Sequence, residues 1–461
     1  MKLAIVGGGG IRTPLLMSAL ARRQRAIDLQ EVQLMDLDEV KLSLIAPLCE
    51  HVARSAGATF RLTWTTQSED ALSGARGVIT TIRVGGERAR AVDERIALDA
   101  GVLGQETTGP AGFAMALRSI PAVSKYAAMM RTLCPDAWLL NFTNPAGLVA
   151  QAITQAFPDL KIAGICDSPT SLWRDVAAAY GRQSPDVPVR FYGLNHLSWM
   201  AEASVDGVNI VPDLLTDEAR LRQIRELSLF EPRLLRLIGM LPNEYLYYYY
   251  YRNEALAHIR AGGETRGEQI LRLSGNLMAD LRKIDPTKHP DRALRLYRDY
   301  MIRRHSTYMA VETGGSAETG DADSEMDNHA QADDGEGYAG VALDILAAAA
   351  GGGARVVANV PNRGAIPGMR DDDVVETTCD CDAAGLHPLR LESVNEDALL
   401  LMQQVKRYER LTVEAISEGS RDLAIEALLA HPLVGSYPIA RALVKAYLLA
   451  HRDLVGEWAP A

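Results

Sequence analysis

The segment Lys2-Leu3-Ala4-Ile5-Val6-Gly7-Gly8-Gly9-Gly10 is a short apolar run followed directly by four glycines. The run predicts a buried strand, and Thr13-Pro14, just beyond the glycines, predicts the start of an amphipathic helix. Together they form a cradle for phosphate, because glycine lets the backbone approach closely and a helix end offers free N–H donors. The residues predicted to bind cofactor phosphate are therefore Gly7, Gly8, Gly9, Gly10, Ile11 and Arg12.

A second strand is predicted over residues 31–37, and it carries an acidic side chain, Asp36, close to its end. An acid at this place accepts hydrogen bonds from the ribose hydroxyls of NAD and repels the extra phosphate of NADP. The alternative is that Asp36 only caps the following helix. Further strands are predicted over residues 77–81, 137–141 and 160–165, and this alternation predicts an α/β fold with an N-terminal Rossmann-type, doubly wound parallel sheet.

The composition is that of a globular protein, with 48% hydrophobic and 23% charged residues among 461. A net charge of −11 argues against non-specific binding to nucleic acid or to a membrane surface. No apolar run is long enough to span a bilayer, no signal peptide is recognisable, and the five cysteines do not form a disulfide framework, so we expect a cytoplasmic protein. We expect a nucleotide-binding domain over residues 1–170 and a mixed α+β domain for substrate, metal and oligomerisation over residues 171–461.

Cys166 and Asp167 directly follow the predicted strand 160–165, which places both at the sheet edge where ligands bind in α/β proteins. An unpaired Cys is most often a small buried residue, with a metal ligand or a nucleophile as the alternatives. His196 is by itself also more often a core residue than a ligand. A Cys and a His together would suit Zn, Mn, Fe, Co or Ni, and no local spacing decides which.

The segment from Arg83 to Arg95 is unusually rich in arginine for an acidic protein. These side chains either form a solvated helical face or bind an anion, since guanidinium groups match phosphate geometry. Asn144 lies in a turn after the strand 137–141, where it either shapes the turn or binds sugar hydroxyls.

As a set, these motifs resemble glycoside hydrolase family 4, whose members are NAD- and metal-dependent glycosidases. At the first glycine turn, Ile11-Arg12 departs from the small hydroxyl and aromatic residues that are frequent in the family. The resemblance runs nearly end to end and rests on Gly7–Gly10, Arg83–Gly86, Gly104–Gly109, Asn141–Pro145, Cys166–Pro169, Gly193–His196, Leu241–Leu246 and Asn359–Pro367.

The resemblance implies a fold like that of lactate and malate dehydrogenases and a redox route to hydrolysis. NAD oxidises the sugar at C3, a base removes the C2 proton, the leaving group departs from C1, water adds, and NADH reduces C3 again. The resemblance implies that Cys166 and His196 bind a divalent metal, with Mn expected. It implies Tyr245 as base, Glu106 as its supporting carboxylate and Asp167 as acid. The cofactor would also contact Arg83 and Asn144, and the substrate with its phosphate would contact Arg90, Asn144, Asn195 and Arg266.

The anomeric preference is the open point of the resemblance. Asp after the metal-binding Cys is common in phospho-α-glucosidases, and Asn is more usual in phospho-β-glucosidases. Three segments are more similar to the β branch, namely Arg83–Gly86, Gly104–Gly112 and the motif Leu241–Leu246, which contains Tyr245. We therefore expect a 6-phospho-β-glucosidase that acts on a phosphorylated disaccharide or glucoside as a homodimer or homotetramer. The alternatives are a 6-phospho-α-glucosidase, an NAD-dependent dehydrogenase of a sugar phosphate or hydroxy acid, and a ligand-responsive binding protein.

Two further segments carry expectations about structure. The acidic, glycine-rich stretch from Gly314 to Gly337 predicts a surface loop or lid. The tail from Asn395 to Leu454 has helical Ala and Leu patterns and is expected to pack on the first domain or on a neighbouring subunit.

Overall fold

The computed structural model describes residues 1–315 and 336–458, except for the side chains of residues 336–338. Most of the predicted loop or lid between Gly314 and Gly337 lies outside the described residues. The strands are β1 Lys2–Val6, β2 Glu31–Met35, β3 Arg61–Thr65, β4 Gly77–Thr80, β5 Trp138–Asn141, β6 Lys161–Gly164, β7 Val189–Leu194, β8 Leu197–Val205, β9 Val208–Asn209, β10 Leu241–Pro242, β11 Ala354–Pro361, β12 Val374–Asp382 and β13 Gly385–Pro388.

Helices fill the connections between these strands, and none within residues 1–315 and 336–458 combines the length and apolar character needed to cross a membrane. The α-helices span Thr13–Arg23, Glu39–Ser55, Ser68–Leu72, Gly86–Asp99, Pro110–Leu133, Ala146–Ala156, Ser168–Ala179, Val211–Leu214, Glu218–Gln223, Pro232–Ile238, Tyr247–Tyr250, Arg252–Gly262, Arg266–Ile284, Pro290–Ser306, Glu336–Ala349, Glu396–Glu418, Arg421–Ala430, Tyr437–Ala450 and Arg452–Val455.

The strands β1 to β6 form a parallel sheet in the order 3-2-1-4-5-6. This is the strand order of the dinucleotide-binding fold, in which ligands bind beyond the carboxyl ends of the strands near the point where the order reverses. Because β1 is the first strand on one side of that reversal, the glycine turn that follows it lies at the binding edge. The predicted fold class is confirmed, with strand ends within two residues of those expected.

The central strand β1 is buried on both faces, as its uninterrupted apolar run requires. Leu3 and Ile5 belong to one hydrophobic cluster, and Ala4 and Val6 belong to a second cluster on the other face. Helices cover both faces, which makes the sheet doubly wound.

The second half of the chain extends the same sheet. The strand β11 pairs antiparallel with β6 at Asn359 and Gly164, and β12, β7, β8 and β10 continue the sheet beyond it. The helix Glu336–Ala349 returns to the first half, where Asp344 pairs with Arg23 at 2.6 Å. The division into residues 1–170 and 171–461 stays a prediction, because one sheet runs through both parts.

The helical tail packs on the first half as expected. Tyr447 donates a hydrogen bond to the backbone oxygen of Asp93 at 3.2 Å, and His451 contacts the Asp93 carboxylate at 2.5 Å. Arg118 binds the same carboxylate with two nitrogens, at 3.1 and 2.6 Å. This buried network joins the tail to the helix Gly86–Asp99, which carries Arg90.

Because His431 is buried between two helices of the tail, we expect the folded protein to lose stability in acid. The ring is 1% exposed, and its Nδ1 accepts a hydrogen bond from the Leu433 N–H at 3.1 Å. Burial lowers the pKa of His431 to about 3, below the value of about 6.5 for an unfolded chain. The neutral ring therefore contributes its full stability above pH ~6.5, and we expect a loss of about 1.4 kcal/mol per pH unit as the pH falls from there towards ~3.

Urea unfolding at a series of pH values measures this loss. His431→Gln should flatten the acid slope relative to the native chain, whereas His289→Gln, at an exposed position, should leave the slope unchanged. An unaltered slope in His431→Gln would contradict the prediction.

Candidate active site

The glycine turn after β1 is built for close contact. Gly7 and Gly8 each donate a backbone hydrogen bond to Met35 O at 2.8 Å, which fastens the turn to the end of β2. A Cβ atom would lie 2.7 Å from a Thr81 atom at Gly7 and 2.7 Å from Leu34 Cβ at Gly8. Side chains are therefore excluded at Gly7 and Gly8, and the turn leads directly into the N-terminus of the helix Thr13–Arg23, whose free N–H groups are suited to an anionic ligand.

Asp36 lies beside this turn. The Gly9 N–H donates to Asp36 Oδ2 at 3.0 Å, and the Asp38 N–H donates to Oδ1 at 3.0 Å. The following helix is capped by Asp38, whose side chain accepts a hydrogen bond from the Lys41 N–H. The capping role considered for Asp36 therefore belongs to Asp38, and Asp36 instead fixes the glycine turn through the Gly9 N–H.

Cys166 and His196 meet although they lie 30 residues apart in the chain. Cys166 follows β6, and His196 occupies the tight turn between β7 and β8 with a positive φ of 61°. The two side chains are buried, and Cys166 Sγ lies 3.3 Å from His196 Nε2. Strained φ values of this kind in non-glycine residues concentrate at functional sites.

These two atoms fit a shared metal ion. Both are common ligands of transition metals, and their separation is compatible with bonds of about 2.3 Å from sulfur and 2.1 Å from nitrogen to one ion. Burial lowers the pKa of His196 to about 4, so the ring is neutral at pH 7, which is its ligating form. Burial also raises the pKa of the Cys166 thiol, which a bound cation would oppose. Residues 1–315 and 336–458 contain no group of three or more His, Cys, Asp and Glu suited to a metal, so Cys166 and His196 are not joined there by a third side chain of these four types.

Tyr245 stacks on the imidazole of His196, with ring centroids 3.7 Å apart and an angle of 6° between the ring planes. Its backbone N–H is held by Asn243 Oδ1 at 2.9 Å. Burial and the nearby charge of Glu244 raise the pKa of the phenol well above its ordinary value. Tyr245 is thus placed next to both predicted metal ligands.

Tyr245 begins a tyrosine-rich run that extends to Tyr251, and Tyr247 and Tyr248 of this run contact other residues. Tyr248 donates to Glu312 Oε1 at 3.1 Å, while Tyr247 stacks on Tyr251 at 4.8 Å and packs against Phe230. The stacking on His196 therefore singles out Tyr245 among them.

Glu106 receives two arginines in a buried cluster. Arg83 approaches Oε1 at 2.6 Å and Arg90 approaches Oε2 at 2.5 Å, and Asn144 donates to Oε1 at 3.4 Å. Burial alone would raise the pKa of Glu106, but the two arginine charges outweigh it and hold the pKa well below its ordinary value. Arg90 also pairs with Glu94 at 2.8 Å, so its charge is already matched by two carboxylates.

Arg266, in contrast, has no carboxylate partner among the described residues. It is 9% exposed and donates to neutral oxygens, namely Gln269 Oε1, and Thr307 Oγ1 and the Arg304 backbone oxygen, the last two at 2.6 Å. Burial lowers the pKa of Arg266 to about 10, and the charges of Arg304 and Arg90 act in the same direction. It therefore stays charged at neutral pH, and no carboxylate among the described residues pairs with that charge.

Arg304 was missed by the sequence reasoning. Its side chain donates to Tyr300 OH at 3.0 Å, and its charge helps to lower the pKa values of Arg266 and Glu106. The sequence feature that could have indicated Arg304 is the pair Arg303-Arg304 in the last turn of the helix Pro290–Ser306. Basic residues are common at helix C-termini, so this pair does not stand out in the sequence.

Asp167 pairs with Arg12 of the glycine turn at 2.7 Å, with both side chains about one-third exposed. Burial disfavours the charged carboxylate, but the charge of Arg12 and its hydrogen bond outweigh burial and lower the pKa of Asp167. The pair joins the predicted cofactor turn to the loop that carries Cys166.

The side chain of Asn195 belongs to a buried polar network. Its Nδ2 donates to Glu376 Oε1 at 3.2 Å, and Ser198 and Asn359 donate to the same carboxylate at 2.7 and 3.1 Å. Burial raises the pKa of Glu376 to about 7, although these hydrogen bonds oppose the shift. Glu376 was also missed, and its signal is a lone carboxylate in the buried run of β12.

Comparison with known proteins settles the family. The model described as family 4 glycosyl hydrolase matches residues 2–181, and that for the family 4 glycosyl hydrolase C-terminal domain matches residues 191–434. The chain belongs to glycoside hydrolase family 4. The family predicted from the sequence motifs is therefore confirmed.

Among family 4 relatives, a protein of Bacillus subtilis named probable 6-phospho-beta-glucosidase is 30% identical over 465 residues, 99% of this chain and 98% of its own. A 6-phospho-beta glucosidase structure from Thermotoga maritima with manganese, NAD+ and glucose-6-phosphate matches with a TM-score of 0.81 and 27% identity, covering 100% of both chains. A 6-phospho-alpha-glucosidase from gut microorganisms, in complex with NAD and Mn2+, matches with a TM-score of 0.78 and 25% identity over 99% of each chain.

The expected likeness to dehydrogenases is confirmed at the level of the fold. A lactate dehydrogenase from Eimeria maxima matches with a TM-score of 0.52 and 14% identity over 91% of this chain and 97% of that enzyme. A malate dehydrogenase from Cryptosporidium parvum gives a TM-score of 0.51 at 13% identity over 90% and 98%.

Proposed function

We propose that this family 4 glycoside hydrolase cleaves 6-phospho-β-glucosides with NAD and a divalent metal, most simply Mn2+. One observation carries the proposal: the Cys166–His196 pair with Tyr245 stacked on it lies at the sheet edge that also carries the glycine turn and Asp36. The relatives support the choice of cofactors and substrate, since a matching structure contains manganese, NAD+ and glucose-6-phosphate.

The residues divide the work as follows. When bound, NAD supplies reversible hydride transfer at C3 of the sugar, and the metal supplies a Lewis acid. The glycine turn and Asp36 would hold the cofactor, and Cys166 and His196 would hold the metal. Tyr245 takes the C2 proton, which becomes acidic once C3 is a ketone, and the leaving group then departs from C1. Water adds to the unsaturated sugar before C3 is reduced again.

Glu106 supports this site through charge and position. Its ionised carboxylate holds Arg83, Arg90 and Asn144 together at one buried point. We assign Arg83 and Asn144 to the cofactor side, and Arg90, Asn144 and Asn195 to the side of the sugar.

The phosphate of the substrate is assigned to Arg266 together with Arg304. Arg90 already has two carboxylate partners, whereas Arg266 has only neutral ones among the described residues. A dianionic phosphate would offset the mutual repulsion of these two arginines. The substrate class that follows is a phosphorylated disaccharide or glucoside.

The β assignment rests on the segments that are more similar to the β branch, and Asp167 is the residue that argues for the α branch. Asp167 pairs with Arg12 at 2.7 Å. Ile11-Arg12 is also where this turn departs from the residues usual in the family. In the proposal, Asp167 is the acid that protonates the leaving group, and its pair with Arg12 ties this acid to the glycine turn. A cytoplasmic location and a homodimer or homotetramer complete the proposal.

Hydrolysis of 4-nitrophenyl β-glucoside 6-phosphate tests the function. We expect release of nitrophenol only when NAD, Mn2+ and a thiol reductant are all present, and no accumulation of NADH, because each hydride returns to the sugar. The α-anomer and the unphosphorylated β-glucoside should react far more slowly.

Other outcomes would point to other functions. Faster reaction of the α-anomer would replace the β assignment by the α one. Stoichiometric NADH release without nitrophenol would show a dehydrogenase instead of a glycosidase.

A further inference from the structure

The turn Gln105–Thr108 is closed by its own backbone. The Gln105 N–H donates to Thr108 O at 3.3 Å, and the Thr108 N–H donates to Gln105 O at 3.2 Å. The helix Pro110–Leu133 begins directly behind the turn, where a Cβ at Gly112 would lie 2.5 Å from Thr107 O. The turn is thus pressed against the helix, and its tip is fixed relative to the site.

Thr107 at this tip touches His196. Its Oγ1 lies 2.5 Å from His196 Nδ1 and 3.0 Å from Gln105 Oε1. The Thr107 backbone N–H also donates to Gln105 Oε1, at 2.9 Å. Gln105, Thr107 and the ring of His196 therefore form one continuous chain of hydrogen bonds.

The direction of this chain follows from its donors and acceptors. The Gln105 atom that faces the turn accepts from a backbone N–H, so it is the amide oxygen, which cannot donate. The single hydroxyl proton of Thr107 therefore goes to Gln105, and a lone pair of Oγ1 faces His196. Nδ1 of His196 then carries the ring proton, and Nε2, which faces Cys166 Sγ at 3.3 Å, keeps its lone pair.

We propose that Thr107, oriented by Gln105, is a positioning residue of the metal centre that keeps the ring proton of His196 on Nδ1. Nε2 is thereby presented to the metal with no change of tautomer and no rotation of the ring. The inference rests on the proposed role of Cys166 and His196 as metal ligands. It adds a specific requirement, because hydrogen-bond partners of this kind set the orientation and basicity of a ligating His.

The same turn contains Glu106, which lies between Gln105 and Thr107 and pairs with Arg83 and Arg90. Loss of the Thr107 hydroxyl should therefore be separated from general damage to the turn. Thr107→Val removes the hydroxyl at nearly constant volume, and Thr107→Ser restores it. Thr108→Val is the matched control, because Thr108 lies in the same turn, is itself buried, and closes the turn through its backbone without involving its hydroxyl.

Calorimetric titration of the metal-depleted, NAD-loaded protein with Mn2+ tests the inference. We expect Thr107→Val to weaken Mn2+ binding by about 10- to 100-fold. Thr107→Ser and Thr108→Val should bind Mn2+ as the native chain does. At saturating Mn2+, Thr107→Val should recover most of its kcat, since the substitution affects retention of the metal rather than the reacting groups.

The opposite results are equally clear. Unchanged Mn2+ affinity in Thr107→Val, equal weakening in Thr107→Ser, or equal weakening in Thr108→Val would each overturn the role of the hydroxyl. Those results would leave the proposed function intact as long as the native chain binds Mn2+ and Cys166→Ala does not. If the native chain binds no Mn2+, the metal site itself is refuted.

Discussion

Replacing Tyr245 with Phe is expected to reduce turnover of the 6-phospho-β-glucoside by about 10²- to 10⁴-fold, the range for loss of a positioned general base. The substitution removes one oxygen and keeps the ring that stacks on His196 at 3.7 Å. Binding of NAD and Mn2+ should therefore persist. Exchange of the C2 hydrogen with solvent deuterium should be lost together with turnover.

Tyr247→Phe is the matched control, because Tyr247 lies in the same run but packs against Phe230 and Tyr251. It should retain full activity. If Tyr245→Phe kept normal turnover and normal C2 exchange, another group would have to be the base. Exchange that persists while turnover falls would place Tyr245 at a later step.

The second large effect is expected for Cys166→Ala. Cys166 and His196 are the two side chains assigned to the proposed metal, so removal of the thiol takes away one of these two ligands. Removing an outer-shell partner costs about 10- to 100-fold in metal affinity, and loss of a direct ligand should exceed this range. Activity at micromolar Mn2+ should disappear, while NAD binding at the glycine turn remains.

Cys134→Ala provides the comparison for this effect. Cys134 is also a free, buried cysteine, but it lies at the end of the helix Pro110–Leu133, away from the site. It should cost some stability through the small cavity and leave Mn2+ affinity unchanged. Equal Mn2+ affinity in Cys166→Ala and the native chain would refute the assignment of the thiol.

The parallel half of the sheet was predictable because its signals are local. β1, β4 and β5 are buried on both faces or nearly so, and β2 and β6 are buried at their C-terminal ends. Such strands are recognisable as apolar runs that end at glycine or polar residues. β3 escaped prediction since it is an edge strand with exposed Arg61 and Trp64, whose pattern is weak. The antiparallel extension escaped it for a different reason: the pairing of β11 with β6 joins Asn359 to Gly164 across 195 residues.

The site was predicted as a set of residues but not as a set of contacts. The glycine turn, Asp36 and the ends of β5 and β6 had to lie at one edge, because the carboxyl ends of parallel strands meet there. That Cys166 meets His196, and that Tyr245 stacks on that His, could be stated beforehand only through resemblance to the family.

By itself the sequence determined the strand and helix periods, the glycine cradle, the edge at which the chemistry lies and the family. Only the tertiary structure decided the partners: Arg12 with Asp167 across 155 residues, and Thr107 with His196 across 89. It also decided that Arg90 is neutralised by carboxylates whereas Arg266 is not. Hydrophobic period reports which face of a segment is buried, but a polar side chain at a sheet edge has several possible partners. The packing of distant segments selects one of them.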